Sequence, residues 1–167
     1  NCYPIQMQKV SNIIQISAGE NHIALLDADG SVWQVGYNGN YQLGTNNSSN
    51  YSLPQQMLDQ TGTKILYGVK EVSAGDQHTT VLKEDGTVWI SGRNDVGICA
   101  QGDTINRTTP VQVKIDANTY LTNVRKISSS NTYSLALTTN GEVYAWGYNS
   151  NKQLGQGDST TLTYAKK

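Results

Sequence analysis

The stretch SAGDQHTTVLKEDGTVWISG, residues 73–92, sets a small-residue turn, an aspartate and a histidine side by side, and it poses a choice between chemistry and scaffolding. Residues 17–36 read SAGENHIALLDADGSVWQVG and residues 128–147 read SSSNTYSLALTTNGEVYAWG. The same phrase therefore occurs three times, with Gly30, Gly86 and Gly141 at spacings of 56 and 55 residues. Gly36, Gly92 and Gly147 keep those spacings, as do Asn38, Asn94 and Asn149. A residue that recurs with a period belongs first to the folding unit. His22 and His78 share one register, and Tyr133 occupies it in the third copy.

Each copy reads as four short strands. A β-rich run (IIQIS, VKEVS, VRKIS) is followed by HIALL, HTTVL or YSLAL. Asp29-Gly30, Asp85-Gly86 or Asn140-Gly141 then predicts a type I′ hairpin, with positive φ at both central residues. SVWQVG, TVWISG or EVYAWG supplies the third strand. The fourth is LPQQM at Leu53–Met57 and PVQV at Pro110–Val113, where proline suits the start of an edge strand. Unbroken apolar runs such as Val88-Trp89-Ile90 imply sheets buried on both faces, as in stacked propeller blades. The expected class is all-β, a β-propeller segment of four-stranded antiparallel blades. Trp33 and Trp89 are expected to pack between blades.

Composition narrows the function. The 167 residues carry a net charge of −1 with 15% charged residues, and no dense Lys/Arg patch of the kind a nucleic acid requires. No apolar run approaches membrane-spanning length. Nucleophile elbows, His-Glu-x-x-His helices and phosphate-binding glycine loops are missing from the sequence, so no catalytic residue and no cofactor is assigned. A metal site of His22 and His78 with Glu20 and Asp76 is conceivable, but histidines repeated within a fold signature argue against it. Cys99 shares the register of Leu43 and Leu154 and is expected to be a small buried hydrophobe, while its pairing with Cys2 stays open. Tyr37, Tyr41, Tyr51 and Tyr148 form either an aromatic ligand surface or ordinary edge packing.

The order S-A-G-x-x-H, A-L or V-L, D-G-x-V-W, G-x-N and Q-L-G, at Ser17–Gly44, Ser73–Ala100 and Ser128–Gly155, resembles the regulator of chromosome condensation repeat family over nearly the whole chain. The resemblance implies a β-propeller, usually of seven blades. It departs from the template at Ser130, Tyr133 and Ala100, places where glycine, histidine and glycine are expected. In exchange-factor members the turn before the second strand meets a small GTPase. The matching turns here hold Glu20, Asn21 and His22, then Asp76, Gln77 and His78, then Asn131 and Tyr133. The competing reading has each histidine fixing its turn or a neighbouring blade by hydrogen bonding. Exchange in that family also uses a projecting β-wedge. The segments GYNGNYQLG, GRNDVGICA and GYNSNKQLG leave no room for one.

The leading expectation is a non-catalytic module that binds another protein through the loops of one face. Part of a guanine-nucleotide exchange factor is the alternative, and a carbohydrate-binding or cell-surface module is a third. By register, residues 1–10 supply a fourth strand to a preceding or last blade. Repeat 1 spans 13–57, repeat 2 spans 69–113, and repeat 3 spans 124–167 without a fourth strand of its own. Three blades do not close a ring of the usual ~4 to 8. Either a longer parent chain supplies the other blades, or the chain self-associates, with residues 3–8 of one copy completing the last blade of a second in a homodimer.

Overall fold

The Asp-Gly and Asn-Gly turns organise each sheet, although not as a type I′ hairpin. In the computed structural model, which describes residue 3 and residues 5–167, Gly30, Gly86 and Gly141 have φ of 81°, 80° and 86°. The preceding Asp29, Asp85 and Asn140 do not share the left-handed conformation. Gly30 N–H instead donates to Asp27 O at 3.0 Å and Asp27 N–H to Ser31 O at 2.9 Å. That is a type I turn closed by a left-handed glycine bulge, and it needs only one residue of positive φ. Asp29 and Asp85 then use their carboxylates to accept the N–H of Ser31 and Thr87, at 2.8 and 3.0 Å.

Three four-stranded antiparallel sheets result. Blade 1 holds β1 (Ile13–Ala18), β2 (His22–Asp27), β3 (Val32–Gly36) and β4 (Tyr51–Gln56) in that order. Blade 2 holds β5 (Val69–Ala74), β6 (His78–Lys83), β7 (Val88–Gly92) and β8 (Arg107–Gln112). Blade 3 holds β9 (Val124–Ser129), β10 (Tyr133–Thr138), β11 (Val143–Gly147) and β12 (Leu162–Lys166). Among the described residues there is no helix. These are consecutive blades of a β-propeller.

Strand β12 corrects the expectation that repeat 3 lacks a fourth strand. It pairs with β11 through Gly147↔Leu162 and Ala145↔Lys166, the positions corresponding to β8 on β7. The proline landmark misled: Pro54 and Pro110 are the fourth residues of β4 and β8, inside the register shift, rather than their first. An edge strand tolerates proline there because the missing N–H costs no ladder bond. The amino-terminal strand is likewise not seen, since residues 5–12 form no strand; Cys2 and Pro4 lie outside the described residues.

Two cores fill the seams between blades. Ala24, Leu26, Val32 and Met57 of blade 1 meet Val69, Val72 and Val81 of blade 2. Leu82, Val88, Ile90 and Ile98 of blade 2 meet Val124, Ile127, Ala136 and Trp146 of blade 3. Cys99 is fully buried in the second core, and burial pushes its thiol well above the usual range. Trp89 packs on the first core, as the sequence suggests, but the tryptophan fully buried between blades is Trp146. Its indole N–H donates to Ile98 O across the seam at 2.7 Å.

Candidate partner-binding face

The turns joining first and second strands converge on one end of the array. Residues Ala18–Glu20, Ala74–Asp76 and Ser129–Asn131 together line an open cavity of about 360 Å³. Their glycines are required for space and not for dihedral freedom, since neither Gly19 nor Gly75 has positive φ. A Cβ on Gly75 would overlap the His78 ring and Ser130 O, and one on Gly19 would overlap the His22 ring and Gly75 O. The imidazole folds back over its own turn, and the next blade's carbonyl presses on the same spot. Ser130 carries a side chain in the third turn, where Tyr133 replaces the histidine.

Both histidines are seam residues. His22 is 3% exposed and its Nε2 lies 2.9 Å from Thr79 Oγ1 of blade 2. The single Thr79 proton goes to Gln42 O or Gln34 Oε1, at 2.8 and 2.9 Å, so His22 Nε2 must carry the proton and donate. His78 is 1% exposed, with Nε2 3.1 Å from Ser134 Oγ of blade 3. Burial holds both rings neutral, lowering the His22 pKa to about 4 and that of His78 to about 3, where repulsion from His22, if protonated, is the smaller cause. Each Nε2 is taken up by a hydroxyl of the next blade, and no cluster of three metal-ligating side chains forms among the described residues.

The remaining predicted residues do reach the surface. Glu20, Asn21 and Asn131 are exposed, and Asp76, Gln77 and Tyr133 are half-buried. Burial raises the Asp76 carboxyl pKa, Glu20 raises it further, and Arg93 opposes both. Glu20 and Asp76 therefore make one acidic patch shared between two blades. Glu20 also borders a second open cavity, about 770 Å³, with Asn21, Tyr37, Asn50, Tyr51 and Gln77. Tyr37 and Tyr51 thus share a site, whereas Tyr148 belongs to the third blade.

Sequence reasoning missed Arg93. It stands in the register of Tyr37 and Tyr148, donates to Gln77 Oε1 at 3.3 Å and pairs with Asp95 at 2.5 Å. Gln77 Oε1 also accepts from Asn40 Nδ2 at 2.9 Å, so its amide is held in place. A lone arginine where the other repeats have tyrosine was the available signal.

Behind the face, each G-x-N loop is clamped by its own asparagine. Asn38, Asn94 and Asn149 are fully buried. Their Oδ1 atoms accept the N–H of Leu43, Cys99 and Leu154 at 3.0, 2.7 and 2.9 Å. Their Nδ2 atoms donate to the carbonyls of Asn47, Asp103 and Asp158 at 2.7, 3.0 and 3.1 Å. The loops are closed on themselves. Ala100 holds the left-handed φ of 52° that Gly44 and Gly155 adopt at 62° and 68°, the strained position anticipated from the sequence.

The Regulator of chromosome condensation (RCC1) repeat model matches residues 29–82 and 85–137, and a second model of the same description matches 13–42, 69–98 and 124–153. The chain belongs to this repeat family. The Xenopus laevis regulator of chromosome condensation is 33% identical over 156 residues, covering 92% of this chain and 35% of that protein. The human E3 ubiquitin-protein ligase HERC2 is 29% identical over 160 residues, covering 95% of this chain and 3% of that protein. Human WBSCR16 superimposes with a TM-score of 0.80 at 19% identity, over 97% of this chain and 39% of that one. Prp20p from Saccharomyces cerevisiae, described with its binding to Gsp1p and histones, gives a TM-score of 0.75 at 19% identity, over 95% and 38%. The chain thus spans about a third of the regulator and a small fraction of the ligase.

Proposed function

We propose that this chain is a non-catalytic interaction module that holds a basic protein surface against its turn face, through Glu20, Asn21, Asp76, Gln77 and Asn131. The observation carrying this reading is the shared acidic patch of Glu20 and Asp76 at the rim of a cavity to which all three blades contribute. Acidic groups on rigid turns attract a positively charged partner and fix its orientation. His22 and His78 contribute by setting the turns and not by contact, because they are buried. The repeat family and the Prp20p likeness support a protein as the partner class.

Binding to Gsp1p and to histones, the partners named for Prp20p, tests the proposal by biolayer interferometry at low and high salt. A salt-sensitive complex weakened about tenfold or more by Glu20→Gln with Asp76→Asn supports it. Unchanged binding by that variant overturns the site, and binding to neither protein at low salt overturns the basic-partner class.

The exchange-factor reading is second. Among the described residues no segment projects as a wedge, because residues 36–44, 92–100 and 147–155 are folded back on Asn38, Asn94 and Asn149. No stimulation of nucleotide release from Gsp1p is expected.

A further inference from the structure

The loops that lead from one blade to the next run along the end of the array opposite the turn face, and they repeat as the strands do. Residues 57–68 and 113–123 are each closed by a backbone bond, Leu66 N–H to Met57 O at 3.0 Å and Leu121 N–H to Val113 O at 2.9 Å. Each loop is then tied to the following β-hairpin, with Gly68 O accepting from Glu84 N–H and Asn123 O from Thr139 N–H, both at 2.8 Å. Both seams lie between blades of this chain, so neither is an end face.

The two seams differ in what covers an aromatic ring. In the first, Lys83 passes beside Gly68, where an added Cβ would lie 3.6 Å from Lys83 Cε, and its ammonium is 5.8 Å from the centre of the Trp89 ring. The indole N–H donates to Thr87 Oγ1 at 2.8 Å. In the second, the registers of Gly68, Lys83, Thr87 and Trp89 hold Asn123, Thr138, Glu142 and Tyr144. Thr138 is too short to follow the path of the lysine; it is 4% exposed, and its hydroxyl accepts the Glu142 N–H at 3.0 Å. The space opens as a cavity of about 200 Å³, bounded by Thr138, Asn140, Glu142 and Tyr144 of blade 3 and by Tyr120 and Asn123 of the loop.

The surroundings of this cavity select an ammonium. Where blade 2 has a lysine over its ring, blade 3 keeps a ring, and no ammonium lies over Tyr144 among the described residues. Glu142 puts a carboxylate where blade 2 has the neutral Thr87 hydroxyl. That carboxylate already holds an ammonium, since Lys167 Nζ donates to Glu142 Oε1. On the loop side, Lys114 Nζ lies 5.7 Å from the centre of the Tyr120 ring. Aromatic faces and a carboxylate together attract an alkylammonium, whose carbon stem gains from burial against the rings.

We propose that this cavity receives a lysine side chain from a partner protein, its stem between the tyrosines and its ammonium on Glu142, in place of the lysine that blade 2 supplies from within. The exposed side-chain amides of Asn123 and Asn140 stand at the rim and offer hydrogen bonds to a peptide main chain, which makes a protein the source of the lysine. Lys167 is 64% exposed, so its pair with Glu142 is weak and exchangeable. The site lies away from the turn face and stands or falls independently of it.

Heteronuclear NMR of the isotope-labelled full chain, titrated with acetyl-glycyl-lysyl-glycinamide, tests the site. Saturable shifts are expected at the amides of Asn123, Asn140, Glu142 and Tyr144. The same peptide with its lysine Nε-acetylated keeps the stem and loses the charge, and it should bind at least about fivefold more weakly. Glu142→Gln should weaken the lysine peptide by about the same factor, and Lys167→Ala, which removes the resident ammonium, should tighten it by about twofold. Thr138→Lys, which restores the blade 2 arrangement, should abolish binding; because Thr138 is buried, the surface variant Glu142→Gln decides if that chain does not fold. Shifts that are absent, that the acetylated peptide reproduces, or that Glu142→Gln leaves unchanged overturn the site. Binding of n-butylammonium as tightly as the peptide overturns a protein as the source.

Discussion

The turns joining first and second strands and the G-x-N loops are equally periodic in the sequence, yet they tolerate change differently. The loop asparagines are identical in all three blades, whereas the third turn has exchanged both its glycine and its histidine. The difference follows from where their partners lie. Asn38, Asn94 and Asn149 are satisfied by main-chain groups within five to eleven residues, so each blade needs its own copy regardless of its neighbours. His22 and His78 are satisfied only by a hydroxyl of the following blade, 56 or 57 residues away. A seam residue depends on the adjoining blade for its partner. Glycine is then kept only where an imidazole must lie over the turn.

Acid should separate the two regions most strongly. The folded state holds His22 and His78 at about 4 and about 3, below the unfolded value of 6.5. The unfolded chain therefore binds more protons below pH 6.5. Stability is fully present above that pH and falls as the pH descends toward the folded values, by about 3 kcal/mol for each histidine on reaching pH 4. Urea unfolding between pH 7 and pH 4 checks this. His78→Ala should lower stability at pH 7 by about 1 to 3 kcal/mol and remove its own share of the slope. A pH-independent wild type would break the contrast, since the loop asparagines do not titrate.

The loops provide the next largest effect. Asn94→Ala and Asn149→Ala each strand a buried N–H and take the donor from a part-buried carbonyl, at a cost of about 2 to 4 kcal/mol. The two costs should agree within about 0.5 kcal/mol despite their different neighbours, because the partners belong to the same blade. Thermal melts of both variants test the equality, and a markedly cheaper Asn149→Ala would show that the clamp depends on a flanking blade.

Much of this architecture was legible in the sequence, because a repeat prints each constraint three times. The blade count, the strand order, the burial of Cys99 and the strain at Ala100 all followed from registers. What was not legible depended on atoms outside the local phrase. A dipeptide such as Asp29-Gly30 does not reveal whether one or two residues carry positive φ. Proline marked the fourth strand without marking its start, so β12, which has none, was missed. Glycine in S-A-G reads as a dihedral requirement until Ser130 O and the His78 ring are found pressing on Gly75 from two sides. At the candidate face, Glu20 and Asp76 were visible as motif positions. Their sharing of one patch, and the anchoring of Gln77 by Asn40 and Arg93, needed the blades side by side.

The central claim is that the turn glycine exists to admit the seam histidine, and a two-residue cycle tests it directly. Gly75→Ser is made in the wild type and in the His78→Ala background, and unfolding free energies are measured at pH 7. With the imidazole present the new side chain collides with it, costing about 2 to 3 kcal/mol; with alanine at position 78 only the contact with Ser130 O remains, and the cost falls by more than about 1 kcal/mol. Costs that agree in the two backgrounds within about 0.5 kcal/mol would contradict the account.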